Sequence, residues 1–341
     1  MSAEPRPIAR WCNVDSETFH RDIVPRGEPA VLEGLVRDWP AVRAGAESPE
    51  AVGAYLHGLD SGVAFNAVLV PAEARGRMFY EPDLGSFNFA RRHLTASAVL
   101  QQMARYSKFD APPSIALQCA PIDECLPGFE AANAMPLMDA AVHPKLWLGN
   151  AFLTPAHIDE LDNLACVVAG RRRFTLFPPE QVRNLYIGPV DFTPAGAPVS
   201  LVSLKAPDFE RFPRFREALA AAQVADLEPG DALFIPAVWW HHVESFDVLN
   251  VLVNYWWQQA SCARDDRVSP TKSMLHALLS MRHLPDAHRK AWAEMFAHFV
   301  FAPAGDAAGH IPESRLGVLG KLPPERVEAV LASMAPRAKA D

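Results

Sequence analysis

The sequence predicts a mainly β protein: an antiparallel double-sheet jelly roll with surrounding helices and a helical C-terminal region. Three observations carry this expectation. Short apolar runs bounded by turn residues recur along most of the chain, without the strand-helix alternation of a parallel fold. The stretch from Leu161 to Phe177 is largely apolar and ends in Pro178-Pro179, as a buried strand pair does. After Gln259 the texture becomes helical and stays so.

In chain order, Ser16 to Ile23 reads as a short helix with Ser16 as its N-cap, followed by a strand at Ala30 to Gly34 that Asp38-Trp39-Pro40 ends. Pro49 to Leu56 is helical in pattern, and Gly62 to Val70 alternates as a strand. Arg77 to Tyr80 reads as a further strand and Leu84 to Phe89 as a loop. Thr95 to Tyr106 is an amphipathic helix with Leu100, Met103 and Ala104 on one side, and Ser114 to Gln118 is a strand after the Pro112-Pro113 break. Ile122 to Val142 is mixed, and Lys145 to Gly149 leads into the segment that carries the chemistry. Val182 to Leu201 reads as turns and short strands, Pro207 to Ala222 as an inserted helix, Ala232 to Ile235 as a short buried strand, and Val248 to Trp256 as a strand too apolar for an edge.

The C-terminal helices are expected at Thr271 to Leu284, Asp286 to Phe301 and Pro323 to Met334, which puts a boundary near residue 262 between a catalytic domain, 1–262 with its N-terminal αβ segment, and a helical region, 263–341. Met274, Leu275, Leu278 and Leu279, with Trp292, Met295, Phe296 and Phe299, form apolar stripes that need a partner. The barrel or a second copy of the chain would serve, so these helices are a candidate dimerisation element.

With 341 residues, 50% of them hydrophobic, the chain can bury a substantial core. A formal net charge of −8 argues against nucleic acid and anionic membranes as partners, since both reward a basic face. Met1 to Trp11 lacks the apolar centre of a secretory signal and no stretch approaches a membrane span, so a cytoplasmic location is expected. Cys12, Cys119, Cys125, Cys166 and Cys262 are scattered without a Cys-x-x-Cys, the pattern of reduced thiols.

The chemistry centres on Thr154-Pro-Ala-His157-Ile-Asp159 and the distant Trp239-Trp240-His241-His242. Along a strand, residues i and i+2 share a face, so His157 and Asp159 can project an imidazole and a carboxylate together. A third ligand from His241 or His242 would complete the two-histidine, one-carboxylate set that suits non-haem Fe(II) and oxygen chemistry.

Three strings, Thr154 to Asn163, Gly170-Arg-Arg-Arg-Phe-Thr-Leu-Phe-Pro-Pro179 and Pro229 to Ser245, together with Pro29 to Gly34 and Asp38-Trp-Pro40, resemble the cupin-like JmjC hydroxylases over roughly residues 16 to 260. The asparaginyl hydroxylases are the nearest well-known branch in pattern. The resemblance implies a double-stranded β-helix that uses Fe(II), 2-oxoglutarate and O2 to hydroxylate a substrate while 2-oxoglutarate is decarboxylated to succinate. It implies His157, Asp159 and His241 as the iron ligands, with His242 outside the coordination sphere. It further implies Thr154, Asn163 and Asn254 at or near the cosubstrate, Tyr80 near the substrate, and Trp256 lining the pocket.

The chain departs from the family pattern twice. The usual 2-oxoglutarate-binding lysine is Arg172 here, and the tyrosine that often assists it is Ala116. Arginine stays charged and binds a carboxylate bidentately, so it can preserve the ion pair. Strand alternation lets at most one or two of Arg171, Arg172 and Arg173 point inward. The expected substrate is a protein, a peptide or a small molecule, with Trp239, Trp240, Trp256 and Trp257 around the mouth, and hydroxylation is expected over demethylation. Two other classes remain in view: a metallo-cupin working without 2-oxoglutarate, and a non-catalytic binding module on the same scaffold.

Overall fold

A computed structural model describes residues 5–258, 269–303, 307–320 and 322–334. The chain divides into two compact units, Met1–Ser269 and Pro270–Asp341. The expected boundary near 262, and Cys262 itself, lie outside the described residues. No helix among the described residues is long and apolar enough to cross a membrane.

The first unit is a two-sheet β-structure. Its strands are β1 (Arg6–Pro7), β2 (Ala9–Cys12), β3 (Ala30–Glu33), β4 (Phe65–Val70), β5 (Ala90–Leu94), β6 (Ser114–Pro121), β7 (Lys145–Gly149), β8 (Phe152–His157), β9 (Asp162–Ala169), β10 (Arg172–Phe177), β11 (Gln223–Leu227), β12 (Ala232–Ile235), β13 (Trp240–Ser245) and β14 (Asn250–Trp257). The five-stranded sheet runs β1-β11-β10-β13-β8 and the nine-stranded sheet β2-β3-β12-β9-β14-β7-β6-β4-β5. Pairing is antiparallel except for the short parallel edges β1 with β11 and β2 with β3.

Burial on both faces explains the apolar runs. Along β9, Ala165 and Val167 point between the sheets, where Phe174, Leu176, Leu233, Ile235 and Leu252 meet them. The alternate residues Leu164, Cys166 and Val168 face the other way, against Phe19, Ile23, Val52, Leu56 and Val99 from the covering helices. A strand covered on both sides has no polar row to alternate with. The outer face of the small sheet is closed by Leu185, Val202, Phe215 and Ala218 over Ala156, Phe177 and Trp240. Where the chain passes from β9 to β10, Gly170 takes φ +72°, and a Cβ there would meet the Asn250 side chain at 2.3 Å.

Several local expectations change. Asp15, not Ser16, caps the first helix: its carboxylate accepts from the Thr18 N–H, and the helix Ser16–Thr18 continues as a π turn over Phe19–Ile23. Arg77 to Tyr80 is not a strand. It makes only isolated bridges, Arg77 with Leu153 and Tyr80 with Phe87, because β5 takes the edge of β4 that a hairpin would need. Strand β5 itself, exposed and carrying Arg91, Arg92 and His93, lacks an apolar period to signal it. The helix Pro40–Glu47 and strand β11 were also not expected, and the inserted helix shortens to Phe215–Ala221.

The second unit holds helices Pro270–Met281, Asp286–Phe299 and Pro324–Met334. The first two form an apolar groove lined by Met274, Leu278, Met281, Trp292 and Phe296. Leu279 is 82% exposed and Phe301 76% exposed, so the apolar surface of this unit is not spent on its own packing.

Candidate metal centre

A cavity of ≈ 190 Å³ between the sheets gathers most of the candidate residues: Thr154, His157, Asp159, Asn163, Arg172, His241, Asn254 and Trp256 all line it. Among the described residues, His157, Asp159 and His241 form the one group able to hold a metal ion, their ligand atoms all within 4.8 Å of one another.

A β-bulge makes this convergence possible. Strand β13 pairs His241 with His157 but Val243 with Thr154, so β8 carries an extra residue around Pro155-Ala156. Alternation alone would send Thr154 and His157 to opposite faces; the bulge turns both into the cavity. Proline tolerates that place because it has no N–H to donate to the ladder. Asp159 lies just past the end of β8, so the in-strand i, i+2 geometry expected for the pair does not hold. Its carbonyl instead accepts from the Val238 N–H at 2.9 Å, which ties the turn to the segment preceding β13.

The tautomers are set by the backbone. Nδ1 of His157 lies 2.9 Å from the Pro155 carbonyl and Nδ1 of His241 3.0 Å from the Trp239 carbonyl. A carbonyl accepts only from N–H, so both rings carry a proton on Nδ1 and turn Nε2 toward the metal's place. Burial, reinforced by His241, lowers the His157 pKa and keeps that ring neutral. Oδ2 of Asp159 accepts from Asn163 Nδ2 at 3.0 Å and from Trp256 Nε1 at 3.1 Å, while Asn163 accepts from Asn254 Nδ2 at 2.7 Å. Asn163, Asn254 and Trp256 thus orient the carboxylate. The donor set, two imidazoles and a fixed carboxylate, fits Fe(II).

Arg172 faces the same cavity. Of the three arginines, Arg171 is paired with Asp247 and Arg173 forms a two-pronged ion pair with Asp226 at 2.7 and 2.8 Å, both on the surface. Arg172 points inward and is buried, and among the described residues its guanidinium has no carboxylate partner. Burial without a counter-charge pushes its pKa down to about 10. A buried cation left unpaired is costly, and this one lies where an anionic ligand would pair with it.

Two sequence expectations move. Tyr80 does not line the cavity: its hydroxyl donates to the Phe192 carbonyl at 2.6 Å, and its ring packs on Phe87 and Phe192. Of the four tryptophans expected at the mouth only Trp256 lines the cavity. Trp239 is buried between the sheets and donates to the Gly27 carbonyl, Trp240 is buried against Phe177, and Trp257 packs on Phe19 and Phe234. His242 faces the opposite side of β13 from His241, towards Glu244. Sequence reasoning missed Met78, Gln118, Cys119 and Trp147 in the lining. Gln118 and Cys119 reach it through a second bulge, between Leu117 and Ala120 of β6, where Cys119 has φ 55°. The apolar pattern of β6 carries no sign of that extra residue.

The model of the cupin-like domain family matches residues 16–262. Human HSPB1-associated protein 1 is 41% identical over 113 residues, which is 33% of this chain and 22% of that protein. The mouse tRNA wybutosine-synthesizing protein 5 is 30% identical over 149 residues, 40% of this chain and 44% of that one. The human bifunctional peptidase and (3S)-lysyl hydroxylase JMJD7 is 26% identical over 268 residues, 70% of this chain and 80% of that protein. None of these three is named as an asparaginyl hydroxylase. The chain spans about a fifth of the first of these relatives, 22% of its length.

Proposed function

Because the chain belongs to the cupin-like domain family, in its JmjC-type branch, we propose that it is an Fe(II)- and 2-oxoglutarate-dependent oxygenase that hydroxylates a protein, a peptide or a small molecule. One observation carries the reading: a two-histidine, one-carboxylate triad and an unpaired buried guanidinium share a single cavity. A metal alone would leave Arg172 unexplained. A chelating dicarboxylate accounts for both ends.

His157, Asp159 and His241 would hold the ion, and Arg172 with Thr154 would hold the far carboxylate of 2-oxoglutarate. The bound ion would supply activation of O2, coupling decarboxylation of 2-oxoglutarate to oxidation of a substrate C–H bond. The chain's own work is positional. Backbone carbonyls lock the two imidazoles, Asn163 and Trp256 fix the carboxylate, and Met78, Phe174, Val243 and Leu252 exclude bulk water from the cavity.

Anaerobic titration of Fe(II)-loaded protein with 2-oxoglutarate tests this, through the visible charge-transfer band of the chelate. A band in wild type and its loss in Arg172→Ala is the expected outcome. Iron binding with no band at any 2-oxoglutarate concentration would refute the oxygenase reading.

A further inference from the structure

Arg172 is not the only unpartnered donor on this cavity. The indole Nε1 of Trp147 is also buried with no acceptor. Among the described residues, the other buried nitrogens in that condition, on Arg214 and His242, lie away from the cavity. Beyond Arg172 lies a small void of ≈ 30 Å³, and its lining includes Ala116, Gln118, Gly149, Asn150 and Ser245 but none of the metal ligands. Trp147 and Arg172 line both spaces, as do Thr154 and Gln118. They therefore mark the end of the cavity remote from the metal triad.

The donors arrive from separate strands. Trp147 stands on the inward face of β7, between Leu146 and Leu148, which point to the opposite core. Thr154 comes from β8 and Arg172 from β10. The side chain at 116 on β6 is a methyl group and offers no hydrogen bond. A carboxylate has about four lone-pair sites and accepts from several donors at once.

We propose that the indole N–H of Trp147 is a second donor to the distal carboxylate of the oxoacid, sharing it with Arg172 in the space that Ala116 leaves open. This rests on the cosubstrate reading above. The Trp147 N–H supplies the hydrogen bond that Ala116 cannot give, and it selects for an oxoacid with a second carboxylate.

The test compares 2-oxoglutarate with 2-oxobutyrate, which has the same chelating head and no distal carboxylate. Trp147→Phe keeps the ring and removes the N–H. In the anaerobic Fe(II) titration this variant is expected to weaken 2-oxoglutarate by about 10-fold or more, the usual effect of losing a hydrogen bond to a charged acceptor, and to leave 2-oxobutyrate unchanged. Equal weakening of both acids would make Trp147 a packing residue, and no change would leave its N–H without a role; either overturns the proposal. Should the variant not fold or the monoacid bind too weakly, Zn(II)-loaded, 15N-labelled wild type decides. The Trp147 indole resonance is expected to move downfield with 2-oxoglutarate, and a resonance that does not move overturns the proposal. Wild type that binds no 2-oxoglutarate by either readout would instead sink the cosubstrate reading itself.

Discussion

His157 and His241 stand opposite each other across β8 and β13, their ring centroids 4.2 Å apart, and each is fixed by a backbone carbonyl two residues before it. His242, the neighbour of His241 in sequence, faces away. His241→Ala should therefore abolish retention of Fe(II) on anaerobic desalting, while His242→Ala should retain it. Metal content after desalting checks this, and equal retention by the two variants would refute the assignment.

Asn163 and Trp256 both donate to Asp159 without reaching the ion's place themselves. Removing either donor loosens the carboxylate and should cost about 10- to 100-fold in metal affinity. Trp256→Phe, which keeps the ring, is the sharper variant. Competition with a chromophoric chelator measures the change.

Arg172 carries a desolvation cost with no partner among the described residues to offset it. Arg172→Met should lose 2-oxoglutarate binding and yet leave the ligand-free protein as stable as wild type or more so, by about 1 kcal/mol or more. Urea unfolding of both proteins tests this. A large loss of stability in Arg172→Met would mean that the guanidinium is satisfied within the fold.

Burial lowers the pKa of His157, and it pushes His242 down to about 3, with His157 and Lys205 adding to the shift. In the unfolded chain both titrate near the usual histidine value of about 6.5. Between that value and the folded pKa the unfolded state binds more protons. Stability of the metal-free protein is thus full above about pH 6.5 and falls as pH drops, by at most about 1.4 kcal/mol per pH unit for each histidine. Denaturant midpoints from neutral to acid pH follow this, and His242→Gln should flatten the slope.

We propose that a second copy of the chain covers the exposed apolar face of the C-terminal helices. Leu279 and Trp292, 82% and 45% exposed, are the residues to charge. Light scattering should give a dimer for wild type and a monomer for the Leu279→Glu, Trp292→Glu double variant. A monomeric wild type would remove the homodimer.

The double-sheet fold and the pairing of His157 with Asp159 were legible in the residues, while the choice of His241 over His242 and of Arg172 came with the family resemblance. Strands buried on both faces must be apolar throughout, so β9, β12 and β14 stand out. His157 and Asp159 stand just before the apolar run of β9, and His241 follows that of β12. Alternation admitted at most one or two of Arg171, Arg172 and Arg173 to the interior, and along β10 it is Arg172 that turns inward.

What the sequence could not determine was set by insertions in the ladder and by competition for hydrogen bonds. The bulges in β8 and β6 change which residues face inward, and a bulge depends on the partner strand's register, which no local pattern carries. Tyr80 left the cavity because the Phe192 carbonyl, far along the chain, takes its hydroxyl. Trp147 entered it because β7 pairs with β14 and β6, and that pairing turns its indole inward beside Arg172. Residue chemistry is local and can be read from the chain; the face on which it is spent is decided by long-range pairing.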